Sequence, residues 1–131
     1  MDGTHFSFMT KAFADSPEAV EQRVNAEIGG HALAVWLSGA LRAGGLEAGE
    51  PWVEDHGWDF DIQDGKRVYL CVCTIEDSDS DHREGHVTLD LRRSLSDRLL
   101  GRNRHLPGDP VVEKVWHLLS QAREIEQLAR D

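Results

Sequence analysis

The sequence predicts an α+β fold in which an antiparallel β-meander of three to four strands is covered on one face by two amphipathic helices. Three observations carry that expectation. Apolar and polar residues alternate on either side of Asp64-Gly65 and again over residues 87–91, the period of a half-buried strand. Leu33, Trp36, Leu37, Ala40 and Leu41 fall on one stripe of a helix. The 131 residues, 40% of them apolar, suit a single domain over residues 1–131 with one core.

In chain order, Phe6 and Phe8 alternate within residues 5–13 and predict a short first strand. Ser16-Pro17-Glu18 reads as a helix start: a capping hydroxyl, a first-turn proline and an acid at the positive dipole end. Val20, Val24 and Ile28 then recur at fourfold spacing. Gly29-Gly30 either kinks one long helix or separates two, and Gly44-Gly45 stops the strong stripe that follows.

The hairpin around Asp64-Gly65 admits two registers. A two-residue loop of Asp64-Gly65 pairs Asp61 with Val68 and Asp59 with Leu70, which puts carboxylates on an apolar face. A three-residue loop, Gln63-Asp64-Gly65 with Gly65 left-handed, pairs Ile62 with Lys66, Phe60 with Val68 and Trp58 with Leu70. It also sets Asp61 against Arg67 and Asp59 against Tyr69. The second separates apolar from polar and is the register expected.

Residues 76–85 read as an acidic loop, 87–91 as a further strand and 94–100 as a short helix. Asp109-Pro110 starts the last helix, with Val112, Val115, Trp116, Leu119, Ala122 and Ile125 as its buried stripe. The helices are thus expected over Trp58, Phe60, Ile62, Val68, Leu70, Val72, Leu89 and Leu91. The opposite face, carrying Asp59, Asp61, Arg67, Tyr69, Cys71, Cys73, Thr88, Asp90 and Arg92, is expected to be wet.

The formal charge of −10 is unevenly spread: residues 47–92 hold 13 acids and 4 bases. Such a segment repels phosphate backbones and anionic membranes and attracts a basic protein partner. No direct nucleic-acid or membrane contact is expected. Acidic surfaces also serve plain solubility, which is the commoner role. Cys71 and Cys73 would point the same way from one strand, a poor disulfide geometry that fits a reducing compartment. The first residues carry no basic and apolar leader, and the longest apolar run, residues 32–37, is too short to span a bilayer. A cytoplasmic location is expected.

The candidate partner-binding residues are therefore Asp59, Asp61, Tyr69 and Asp90 on the wet face, with Asp77, Asp79 and Asp81 in the acidic loop. The function expected is that of a non-enzymatic, acidic protein-binding module, with no cofactor. The alternative is a small metal-dependent enzyme or metal-binding protein using Asp59, Asp61, Asp90, Cys71 and Cys73. Cys71-x-Cys73 with His82-x-x-x-His86 has zinc-ligand types, but structural zinc sites take paired cysteines from turns with wider spacing. Asp77-x-Asp79-x-Asp81 lacks the glycine and the bidentate glutamate of a calcium loop. No Gly-x-Ser-x-Gly or phosphate-binding glycine loop occurs, and Cys73 and His56 fall on opposite faces of the expected hairpin. Arg92, Arg93, Arg98, Arg102, Arg104 and His105 form a basic stretch, most simply a solvated one.

Glu54-Asp55-His56-Gly57-Trp58 is the most distinctive string. Gly57 signals a bulge or a close backbone approach, and Trp58 a core anchor. Over residues 32–75 the chain resembles small, uncharacterised bacterial proteins in which a glycine-ended helix leads into Glu-Asp-x-Gly-Trp and a β-hairpin. The resemblance implies a bacterial origin and transfers no catalytic residue.

Overall fold

Alternation along the chain builds more strands than the sequence predicts. A computed structural model describes residues 3–78, 80–104 and 106–131. The strands are β1 (Gly3–Thr10), β2 (Ile28–Gly29), β3 (Glu47–Ala48), β4 (Trp52–Glu54), β5 (Gly57–Asp64), β6 (Arg67–Glu76), β7 (Arg83–Leu91) and β8 (Glu126–Arg130). The helices are α1 (Pro17–Gln22), α2 (His31–Ala43), α3 (Leu95–Leu100) and α4 (Pro110–Gln121). All eight strands join one sheet in the order β3-β5-β6-β7-β1-β8, with β2 on β6 and β4 on β5, and every pairing is antiparallel.

This overturns the meander of three to four strands with two helices. The sheet has eight strands and the described residues form four helices, of which α2 and α4 are the long ones. The additional strands are short or carry weak local strand preference. Glu-Gln-Leu-Ala-Arg of β8 has helix-forming residues, yet it pairs along β1, where tertiary pairing outweighs propensity. The helix expected through Val20, Val24 and Ile28 ends at Gln22. Val20 and Val24 are exposed, and Ile28 pairs with Glu76 instead.

The hairpin also has a register other than the one expected. Asp64 pairs with Arg67, Ile62 with Tyr69, Phe60 with Cys71 and Trp58 with Cys73, so the loop is Gly65-Lys66. Gly65 takes φ +61° while Lys66 keeps a negative φ, the arrangement of a type II′ turn. Tyr69, Cys71, Cys73 and Ile75 thereby join Trp58, Phe60 and Ile62 on the covered face. Val68, Leu70 and Val72, expected beneath the helices, lie on the other face and are only half-buried. Strand β6 is apolar on both sides, so alternation alone does not choose its inward face.

The covered face packs against α2 through Leu33, Ala34, Leu37 and Leu41, and against α4 through Val111, Val112, Val115 and Leu119. Phe6, Phe8, Val87, Leu89 and Leu91 complete this core. Asp15 holds the start of α2: its carboxylate accepts from the Gly30 and Ala32 amides at 3.2 and 2.9 Å, because the N-cap Gly30 has no side chain to do so. Buried apolar helix residues all belong to this one cluster, and no helix of the described residues packs on the opposite face.

Candidate functional site

The open face of the sheet is the surface left for function. Along β6 it presents Val68, Leu70 and Val72, then Thr74 and Glu76. Strand pairing sets Asp61 beside Leu70 and Asp59 beside Val72, with Asp90 and Thr88 across on β7. Carboxylates therefore frame an apolar strip on a central strand. Near the β3–β5 edge the face opens into a hollow of about 670 Å3 lined by Arg42, Leu46, Glu47, Ala48, Gly49, Asp61, Gln63 and Val68.

The predicted site residues separate into three groups. Asp61 and Asp90 lie on the open face as expected; Asp61 is ion-paired with Arg92 at 2.9 Å and Asp90 is exposed. Asp59 shares that face but is only 2% exposed. Tyr69 is a correction: it is fully buried on the covered face, and no partner can reach it. In the acidic loop, Asp77 is bound at 2.5 Å by Arg23, which also holds Asp15, so it closes a structural ion network. Asp81 is exposed, and Asp79 lies outside the described residues.

The covered face holds Tyr69 in a hydrogen-bonded group of its own. Its hydroxyl donates to Asp109 Oδ2 at 2.7 Å and accepts from Arg67 Nε at 3.0 Å. Arg67 Nη2 reaches the same carboxylate at 3.2 Å, while Asp109 Oδ1 accepts from the Val111 and Val112 amides and so caps α4. Burial pushes the Tyr69 phenol up to about 12, with Arg67 opposing and Asp109 adding to the rise. For Asp109, burial pushes the carboxyl up. The Tyr69 hydroxyl, the Val112 and Val111 amides and the Arg67 charge outweigh it and hold the group below the usual carboxylate range.

Cys71 and Cys73 are free, buried thiols on the covered face. Burial, with Cys73 and Asp59 adding to it, pushes the Cys71 thiol well up, which favours the neutral thiol. The alternative metal set of Asp59, Asp61, Asp90, Cys71 and Cys73 is therefore not gathered: aspartates and thiols occupy opposite faces. The zinc pairing with His82 and His86 fails for the same reason, since His86 is on the open face and His82 bonds Glu126 at 2.6 Å.

The residue that sequence reasoning missed beside Asp59 is His56. Strands β4 and β5 form a tight hairpin with Glu54 opposite Gly57, which leaves Asp55-His56 at its tip. Gly57 takes φ +135°, and a side chain there would collide with the Cys73 carbonyl; this is the close approach its position signals. The turn brings His56 Nε2 to 2.9 and 3.0 Å from the two Asp59 oxygens. Burial pushes the His56 imidazolium down, but the hydrogen bond and charge of Asp59, then the charges of Asp55 and Glu54, raise it above its ordinary value. Burial raises the Asp59 carboxyl, and His56 pulls it down without cancelling the rise. The i, i+3 spacing of His56 and Asp59 across a tight turn was the available signal. A second polar group, His5, Glu76, Glu84 and His86, gathers toward the Glu76 end of β6.

The chain matches no protein-family model, and no curated protein or solved structure is similar to it. No helix of the described residues is long and apolar enough to cross a membrane.

Proposed function

We propose that the chain is a non-enzymatic binding module that presents the open sheet face to a basic protein partner. The observation that supports this most is the apolar strip of Val68, Leu70 and Val72 framed by Asp61, Asp90 and the buried Asp59. An apolar centre with a charged rim is the composition of a docking surface, the centre supplying affinity and the rim orientation and on-rate. The excess of acids over residues 47–92 selects for positive charge on the other side.

The test is a native pull-down from the source cell at two salt strengths, comparing the unaltered chain with Leu70→Lys and Asp90→Lys. The reading expects a basic protein that is retained at low salt, released as salt rises, and lost with either variant. Capture of no basic protein, or equal retention by both variants, refutes it.

A further inference from the structure

At the Glu76 end of the open face, four side chains and Asp131 make a chain of contacts that ends on two carboxylates. Asp131 Oδ2 lies 2.7 Å from His5 Nδ1, and His5 Nε2 lies 2.9 Å from His86 Nδ1. The two rings stack at 5.1 Å, tilted by 13°. His86 Nε2 then stands 3.0 Å from Glu76 Oε2 and 3.2 Å from Glu84 Oε1.

One arrangement of protons along this chain suits a cation at His86 Nε2. In it His5 donates from Nδ1 to the Asp131 carboxylate and accepts at Nε2, and His86 donates to that nitrogen from Nδ1. His86 Nε2 then turns a lone pair toward two carboxylate oxygens, and a cation among them satisfies all three atoms. Glu76 and Glu84 are moreover directly opposite each other across β6 and β7, a like-charge pair that is unfavourable unless something positive lies between them. Three potential ligand atoms converge on one point.

We propose that this point binds a first-row divalent metal ion, with His86 Nε2, Glu76 and Glu84 as ligands and His5–Asp131 as the orienting pair behind His86. The three ligand atoms lie within 4.8 Å of one another. Around a tetrahedral ion with bonds of about 2.0–2.1 Å, ligand atoms sit about 3.3 Å apart, close to the two separations measured from His86. A mixed imidazole and carboxylate set suits zinc or manganese better than calcium or magnesium, whose preferred ligands are all oxygen. Three protein ligands on an open face leave coordination positions for water or for a partner's side chain. A histidine whose second nitrogen is held by another group is the usual support of a metal ligand. The thiols expected to take part have no role in it.

The experiment is titration of the full chain with Zn2+ by calorimetry, with 15N NMR of the histidine rings. One equivalent is expected to bind with micromolar affinity, His86 keeping its proton on Nδ1 while the Nε2 resonance shifts on metal addition. H86A and E84Q should each weaken binding at least tenfold, and H5A between about tenfold and a hundredfold, as for other groups that orient a ligand. H82A, outside the cluster, should change nothing. Thermal unfolding of each variant checks that it is folded; E84Q alters an exposed side chain and keeps the test decisive if H86A is not. Three results overturn the proposal: a proton on both His86 nitrogens throughout the titration, zinc bound equally by H86A, or displacement by equimolar Mg2+.

Discussion

Asp109 and Asp59 are buried on opposite faces of the sheet, and the two are treated in opposite ways. Asp109, beneath the helices, receives the Tyr69 hydroxyl, an Arg67 nitrogen and two amides, and its carboxyl is held low. Asp59, on the open face, receives a single ring nitrogen from a half-exposed histidine, and burial lifts its carboxyl. Equal burial thus gives a structural cap in one place and an incompletely satisfied group in the other. The difference lies in the number of donors each carboxylate receives.

The comparison breaks most visibly at Asp109. Asp109→Ala removes a helix cap and strands the Tyr69 hydroxyl and Arg67, a loss of about 3–5 kcal/mol. Asp59→Ala removes a poorly solvated charge with one partner and should change stability by no more than about 1 kcal/mol. Urea midpoints at constant slope measure both. Equal losses would mean that the two faces do not differ in this way. The sign with pH is also fixed. A lowered carboxyl contributes stability above the unfolded value of about 4 and loses it as pH falls through the lower folded value, so the gap between Asp109→Ala and the unaltered chain should close in acid.

The two faces of β6 give the next contrast. Ile75→Ala, on the covered face, should cost about 3 kcal/mol, whereas Val72→Ala, on the open face, should cost about 1 kcal/mol or less. The reverse order would restore the register expected from the sequence. That register was not legible because Arg67–Glu76 places Val68, Leu70 and Val72 against Tyr69, Cys71, Cys73 and Ile75, two sets of comparable apolarity. Pairing Asp61 with Arg67 looked favourable, but Arg67 reaches Tyr69 and Asp109 in the fold, and Asp109 is 42 residues away. Where a pattern had one reading, as in the α2 stripe, the Ser16 cap of α1 and the Asp109-Pro110 start of α4, sequence and structure agree. Helix ends and the short strands β2, β3 and β8 depend on partners far along the chain. So does the His5–His86 contact, which local periodicity does not encode.

A smaller effect sharpens the description of the covered face. Tyr69 is the sole tyrosine, so its ionisation can be followed by ultraviolet absorbance alone. The phenol should stay neutral through pH 10 and ionise only near 12, or abruptly if alkali unfolds the chain first. Tyr69→Phe keeps the ring and deletes one donor to Asp109, a loss of about 1–2 kcal/mol. A phenol that titrates at its ordinary value would place the ring in water and contradict the register.

The smallest effect belongs to His56 and Asp59, and it runs opposite to that of Asp109. Both have folded values raised above their unfolded ones. The His56 contribution is complete below about pH 6.5 and is lost as pH rises through its higher folded value. The Asp59 contribution, from favouring the protonated acid, is complete below about pH 4 and is likewise lost on the way up. Half of the His56 ring is in water, so its share of stability is at most about a few tenths of a kcal/mol and a denaturation curve is too blunt to see it. Proton NMR of the ring is the sharper measurement. Its midpoint should lie above the ordinary histidine value and fall in Asp59→Asn, where the hydrogen-bonding shape is kept but the charge is gone. If that midpoint does not move, Asp59 carries no charge near the ring. The open face would then hold a neutral buried acid and lose part of its acidic rim.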